Sequence, residues 1–112
     1  MTDSNHEWCP VEAALDLLSQ KWMLAIIRPL LDAEMRFGEL RTASRCPSPS
    51  TLTLRLRMLE AEGIVSRSVG PRVRYGLTEK GLGLGRVLRE LGGWAEQWLV
   101  PRSIDNSQAM SA

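Results

Sequence analysis

The chain has few histidines and cysteines, two side chains that are common in catalytic and metal-binding sites. Its 112 residues include one histidine, His6, and two cysteines, Cys9 and Cys46. The cysteines match no zinc-ligand spacing, and no glycine-rich phosphate loop is present. Because a catalytic site needs a group of acid, base or nucleophilic residues, the sequence argues against an enzyme and predicts neither a metal nor a cofactor.

Long hydrophobic runs are also missing. No stretch approaches the roughly 20 consecutive apolar residues that span a bilayer, and the start of the chain, MTDSNHEW, lacks the features of a secretory signal. We therefore predict a cytoplasmic protein with no membrane partner, in which both cysteines are free thiols. With 44% apolar residues, the chain has the size and composition of one modest domain.

Positive charge is concentrated in the middle of the chain. The net charge is only +1, but residues 36–74 hold eight arginines and three acidic residues, which gives this segment +5 and leaves −4 for the remainder. Arginine supplies every cation of the segment, and its planar guanidinium suits phosphates and guanine edges. The pattern favours a nucleic-acid-binding surface, and the alternative is a solvated charged face.

The first part of the chain is predicted to be helical. Pro10 suits the first turn of a helix, and apolar residues then recur every three or four positions as far as Leu18. Residues 21–31 are apolar nearly all round, which predicts a central buried helix. We expect this helix to anchor the core through three large side chains: Trp22, Ile26 and Leu30.

Two further helices and a hairpin are predicted next. A helix over residues 37–43 is followed by a turn with two prolines, in which Ser48 is suited to cap a new helix that ends at Gly63. In that second helix, leucines share one face, whereas serine, threonine and arginine lie on the opposite face and the flanks. Residues 64–69 and 73–77 are rich in strand-forming residues and are separated by Gly-Pro-Arg, as in a β-hairpin.

This order of elements is that of a winged helix-turn-helix, in which the second helix enters the major groove and the hairpin touches the flanking backbone. We predict a mainly α fold with a small β-hairpin (α+β). The predicted DNA-binding residues are Arg36, Ser48, Ser50, Thr51, Thr53, Leu54, Arg55, Arg57, Arg72 and Arg74. For Arg55 and Arg57 the alternative is a solvated side chain or an ion pair within the chain, near Glu60 or Glu62. Leu54 either contacts a thymine methyl group or packs against a neighbouring element.

A long helix is predicted with Thr78 as its N-cap and with its end at about Leu99. Its apolar residues recur every three or four positions and exceed what a small domain buries, so we expect a homodimer. The predicted interface residues are Leu84, Val87, Leu88, Leu91, Trp94 and Trp98. The glycines of this segment are expected to allow close backbone approach or bending. The predicted domain covers residues 9–99, between a flexible N-terminus (1–8) and a disordered tail (100–112).

Several short motifs in their order resemble those of the HxlR-type regulators, a family of bacterial winged-helix transcription factors. The matching stretches cover roughly residues 7–99 and are Cys9-Pro10-Val11, Lys21-Trp22, RFGELR (36–41), SPSTLTLRLRMLEAEGIV (48–65) and PRVRYGLTEKG (71–81). The resemblance implies a dimer built from the N- and C-terminal helices. It also implies double-stranded DNA as partner, in the form of a pseudo-palindromic operator, often near the regulator's own gene.

Cys9 stands at the position of the family's N-terminal cysteine, so the resemblance also implies a sensor of electrophiles, aldehydes or oxidants. Its place at a helix N-terminus favours the thiolate, whereas Glu7 and Glu12 oppose it, and Trp8 and Val11 could bury the sulfur. A packed, inert thiol is therefore the alternative. A chance loop cysteine is the favoured interpretation of Cys46, and the alternative is a thiol beside Arg45 whose modification disturbs DNA contact. At the level of the whole protein, the alternative function is a winged-helix module for protein partners without specific DNA binding.

Overall fold

A computed structural model describes residues 7–99 of the chain. Six helices and two strands occur in this range: α1 (Pro10–Leu18), α2 (Met23–Leu30), α3 (Phe37–Ser44), α4 (Pro49–Ala61), β1 (Val65–Ser68), β2 (Arg74–Leu77), α5 (Glu79–Leu82) and α6 (Leu84–Trp98). The predicted α+β class is confirmed. No described helix is long and apolar enough to cross a membrane. The predicted disordered tail and most of the predicted flexible N-terminus lie outside the described residues.

The chain consists of two compact units, with the boundary between Leu82 and Gly83. The first unit contains α1 to α5 and the hairpin, and the second contains α6. The core of the first unit comes from α2, α3, α4 and the start of the hairpin. Its buried apolar side chains are Met23, Ile26, Ile27, Leu30, Leu40, Cys46, Leu52, Leu56, Leu59, Ile64 and Val65.

Trp22 is not a core anchor, which corrects the prediction. Helix α2 begins at Met23 and not at residue 21. Trp22, the residue before it, has a left-handed backbone conformation with φ 75°. The indole is half-buried, whereas Ile26 and Leu30 fill the core as predicted. The left-handed residue breaks the helical register that the apolar run indicated, so the Trp22 side chain leaves the buried face of α2.

The predicted helix after Thr78 is divided at Gly83 into α5 and α6. Thr78 caps α5 as predicted, because its Oγ1 accepts a hydrogen bond from the Gly81 backbone N–H at 3.1 Å. Gly81 lies against the hairpin, and a Cβ atom at this position would collide with the carbonyl oxygen of Ile64. The close backbone approach that we expected from the glycines of this segment is therefore present between Gly81 and Ile64.

The hairpin, or wing, pairs β1 with β2 in antiparallel register, with Val65 opposite Leu77. A third segment joins it through Met35, just before α3. The Met35 N–H donates to the Tyr75 carbonyl at 2.9 Å, and the Tyr75 N–H donates back at 2.7 Å. This bridge attaches the start of α3 to the wing. The sequence did not predict it, because a single pair of residues produces no alternating pattern.

Candidate nucleic-acid interface

The first helix of the motif, α3, begins at a local ion pair. The Arg36 backbone N–H donates to Glu39 Oε1 at 2.9 Å, and the Arg36 guanidinium lies 3.5 Å from Glu39 Oε2. The backbone hydrogen bond, followed by the charge of Arg36, holds the pKa of Glu39 below its ordinary value. Arg36, a predicted DNA-binding residue, is therefore partly neutralised by a carboxylate of its own helix.

The turn between α3 and α4 is fixed by hydrogen bonds to the backbone. Arg45 adopts a left-handed conformation, with φ 63°. The Cys46 N–H donates to Ser44 Oγ at 3.3 Å, and Arg41 Nη2 donates to the Pro47 carbonyl at 3.0 Å. Cys46 is 2% exposed, so it is a core residue of the turn rather than a solvated loop cysteine. These contacts set the angle at which α4 leaves α3.

The start of α4 presents several hydroxyl groups. Ser48 is the N-cap, as expected, since its Oγ accepts from the Thr51 N–H at 3.2 Å. The same oxygen lies 3.0 Å from Ser50 Oγ. Ser50 is exposed and Thr51 is half-buried. Ser48 is thus committed to the helix, while Ser50 presents its hydroxyl to solvent at the positive end of α4.

The two faces of α4 differ as the sequence predicted. Leu52, Leu56 and Leu59 are buried, whereas Leu54 is 53% exposed on the outer face. Arg57 is also exposed, and among residues 7–99 its guanidinium forms no hydrogen bond or ion pair. The apolar side chain of Leu54 and the unpaired guanidinium of Arg57 are thus both exposed on the same helix.

Arg55 differs from Arg57. Its Nε donates to the carbonyl of Lys21 at 2.8 Å, and its Nη1 lies 3.6 Å from Met58 Sδ. The side chain is half-buried. The Arg55 guanidinium does not pair with Glu60 or Glu62. Its hydrogen-bond acceptor is instead a backbone carbonyl 34 positions earlier in the chain.

A groove of about 250 Å³ separates α4 from the wing. It is lined by Thr53, Leu56, Arg57, Glu60, Arg67 and Tyr75. Arg67 Nε lies 3.7 Å from Glu60 Oε1, so the carboxylate pairs with the wing. Arg67 belongs to the basic segment but was not among the predicted site residues. Its place on the face of β1 that borders α4 becomes evident only from the three-dimensional structure.

The wing presents Arg72 and Arg74 to solvent. Arg74 stands opposite Ser68 at the end of the ladder, and its carbonyl accepts from Ser68 Oγ at 3.4 Å. Arg72 lies in the connection between the strands. Both exposed arginines therefore lie at or next to the tip of the hairpin, as the sequence predicted.

Cys9 is the N-cap of α1, and its carbonyl accepts a hydrogen bond from the Ala13 N–H at 3.0 Å. The residue is half-buried and is a free cysteine, as is Cys46. Trp8 and Val11 are 76% and 66% exposed, so they do not bury the sulfur deeply. The thiol keeps partial access to solvent at the positive end of a helix. No cluster of three or more metal-ligating side chains occurs in the part of the chain that the structure describes.

In the second unit, α6 has a continuous apolar face. Val87, Leu91, Trp94 and Trp98 are each more than half exposed, and Leu84 and Leu88 are half-buried. Their spacing of three and four residues aligns them along one side of the helix. All six residues of the predicted dimer interface thus lie on this face.

A short helix, a fixed turn, a second helix with an exposed outer face and an arginine-bearing hairpin define a winged helix-turn-helix. Residues 17–103 match the family model described as HxlR-like helix-turn-helix. The chain belongs to this family and is a transcriptional regulator of the helix-turn-helix type.

Known relatives agree with this assignment. The HTH-type transcriptional regulator YvaP of Bacillus subtilis is 40% identical over 104 residues, which cover 88% of this chain and 96% of YvaP. The structure of the reduced form of the transcriptional regulator YodB from B. subtilis has a TM-score of 0.74 at 39% identity, covering 86% of this chain and 99% of YodB. The crystal structure of quinone-bound YodB from B. subtilis has a TM-score of 0.73 at 41% identity, and the match covers 80% of this chain and 100% of the YodB chain.

Proposed function

We propose that the protein is a sequence-specific DNA-binding regulator that acts as a homodimer on a pseudo-palindromic operator and responds to electrophiles, aldehydes or oxidants through Cys9. The observation that carries the DNA-binding part is the outer face of α4, where Leu54 and the uncommitted Arg57 are exposed beside the basic wing.

In this proposal α4 enters the major groove. Arg57 contacts a guanine edge or a phosphate, and Leu54 contacts a thymine methyl group. Hydroxyls at the helix start and arginines of the wing contact the backbone and flanking bases. These further contacts come from Arg36, Ser48, Ser50, Thr51, Thr53, Arg72 and Arg74, with Ser48 acting through the cap it provides.

The proposed dimer explains the apolar face of α6. Two recognition helices related by a two-fold axis fit successive major grooves about 34 Å apart, and the terminal helices set this spacing. A helix face with two tryptophans, each more than half exposed, gains stability when a second copy covers it.

Replacing Trp94 by alanine is expected to raise the dissociation constant of the dimer at least about tenfold, because a large buried aromatic contact is lost. Leu91→Ala is expected to act in the same direction. Arg89→Ala is the matched control, since Arg89 lies on the opposite side of α6. Sedimentation velocity over a dilution series measures the effect. A Trp94→Ala protein as dimeric as the control at low concentration would place the interface elsewhere.

For Cys9, the proposal rests on its half-buried, unbonded thiol at a helix N-terminus and on the similarity to a regulator whose structure is known with a bound quinone. The Cys9 thiolate would add to an electrophilic ring carbon of a quinone, so that a C–S bond forms, the C=C π bond breaks, and the carbonyl oxygen takes the electron pair and a proton from water. We propose that the modified α1 shifts the two half-sites out of register.

Cys9→Ser is expected to bind DNA like the unmodified protein and to keep binding after treatment with a quinone, since serine supplies no reactive thiolate. Cys46→Ala, which removes the buried thiol, is the matched control and should still release DNA. Fluorescence anisotropy before and after treatment measures both variants. Unchanged release of DNA by treated Cys9→Ser would exclude Cys9 as the sensor.

A further inference from the structure

We propose that Arg55 is a positioning residue, which fixes the DNA-binding helix α4 to the corner between α1 and α2 instead of contacting DNA. The hydrogen bond from Arg55 Nε to the Lys21 carbonyl, at 2.8 Å, carries this inference. It joins the flank of α4 to a backbone group 34 residues earlier in the chain. The role rests on the proposed function of α4 in DNA binding.

The corner that accepts this bond has an unusual backbone. Trp22, the residue after the acceptor, has φ 75° and is one of two non-glycine residues with positive φ among residues 7–99. A residue with a Cβ atom is disfavoured there and keeps this conformation only where its surroundings hold it. The Lys21 ammonium lies 5.4 Å from the centre of the Trp22 ring, and the Trp22 carbonyl accepts the first hydrogen bond of α2 from Ile26. Arg55 thus binds the peptide group at which the chain turns into α2.

The contact restrains a movement that the core alone restrains weakly. The buried leucines of α4 hold it by apolar packing, which is non-directional. A hydrogen bond from a guanidinium to a carbonyl has a preferred distance and angle. Because Arg55 leaves the flank of α4, its bond limits rotation of the helix about its own axis. That rotation determines where Leu54 and Arg57, on the outer face, are directed.

Arg57 provides the internal comparison. It lies two residues further along the same helix, carries the same group and has no partner in the described part of the chain. If guanidiniums of α4 were needed only for DNA, Arg55 would be expected to stay equally uncommitted. The hydrogen bond to Lys21 therefore indicates a positioning role for Arg55, whereas Arg57 stays available to contact DNA.

The test compares Arg55→Met, Arg55→Lys and the matched control Arg57→Met in the full-length protein. The probe is a 30-base-pair duplex of arbitrary sequence, bound over a series of salt concentrations, and thermal unfolding is measured in parallel. Each phosphate contact contributes about 0.9 to the slope of log K against log salt concentration for duplex DNA. We expect both Arg55 variants to lower Tm by about 5 °C and to weaken binding severalfold, with the slope unchanged.

Lysine preserves the charge, but its nitrogen lies one bond beyond the position of Nε and it lacks the planar guanidinium, so it should recover neither Tm nor affinity in full. Arg57→Met should keep the Tm of the parent protein and lose about one unit of slope if it contacts phosphate. A slope reduced by about 0.9 in Arg55→Met, with affinity restored by Arg55→Lys and Tm unchanged in both, would show that Arg55 contacts DNA and would overturn the inference. No binding of any duplex by the unsubstituted protein would instead remove the proposed function, while the Tm comparison would still test the link to Lys21.

Discussion

Leu56→Ala is expected to lower the free energy of unfolding by about 3–4 kcal/mol. Leu56 is 1% exposed in the middle of α4, so alanine leaves a cavity and removes packing on the buried face of the helix. A domain of this size is stable by about 5–15 kcal/mol, and a loss of this magnitude therefore removes much of its stability. Urea unfolding followed by circular dichroism measures the change.

Leu54→Ala is the matched control for Leu56→Ala, since it is the same substitution two residues away in the same helix. Leu54 is 53% exposed, and its truncation is expected to change stability by no more than about 0.5 kcal/mol. If Leu54 contacts a thymine methyl group, the variant should lose DNA affinity while keeping its fold. Equal destabilisation by the two substitutions would contradict the assignment of the two faces of α4.

Gly81→Ala is expected to lower the free energy of unfolding by about 2 kcal/mol, although alanine is the better helix former. The new Cβ atom would collide with the backbone carbonyl oxygen of Ile64, and it would lie 3.1 Å from side-chain carbons of Ile64 and Leu77. The clash with backbone can be relieved only by moving α5 away from the wing. Chemical denaturation monitored by tryptophan fluorescence checks this result.

The control for Gly81 is Gly38→Ala in α3, where a Cβ atom would meet nothing within 4 Å. This substitution is expected to raise stability by about 0.5–1 kcal/mol, because the unfolded chain loses freedom and the helix gains a better former. Stabilisation by both substitutions would show that α5 does not pack closely on Ile64 and Leu77.

Regular repetition explains which parts of the fold were predictable from sequence. The leucines of α4 recur at helical spacing and face the core, and the Gly-Pro-Arg turn predicted the wing. The cap at Ser48 and the cap at Thr78 followed from local side-chain chemistry. Elements that depend on neighbouring residues in the chain were therefore predicted in type and order.

Features formed by a single long-range contact were not predictable in this way. The bridge between Met35 and Tyr75, and the bond from Arg55 to the Lys21 carbonyl, each join segments more than thirty residues apart. Neither leaves a periodic signal in the sequence. The left-handed conformation of Trp22 was hidden for a related reason, since an apolar run gives no sign of where a helix begins.

For the candidate site, the sequence identified the basic segment but not the state of each arginine. Arg36 pairs with Glu39, Arg67 pairs with Glu60, and Arg57 is uncommitted among the described residues. Composition counts all of these charges equally. Which guanidiniums remain available for DNA depends on the packing of α4 and the wing, and this packing requires the three-dimensional structure.

The central claim, specific DNA binding by α4 and the wing, is tested most directly by fluorescence anisotropy over a salt series. The protein is titrated into labelled duplex from upstream of its own gene and into a scrambled duplex of equal length and composition. We expect tight binding that prefers the native sequence, with an affinity for both duplexes that falls steeply as salt is raised. Equally weak binding to both duplexes, with little dependence on salt, would contradict DNA binding by this surface and favour a role in binding protein partners.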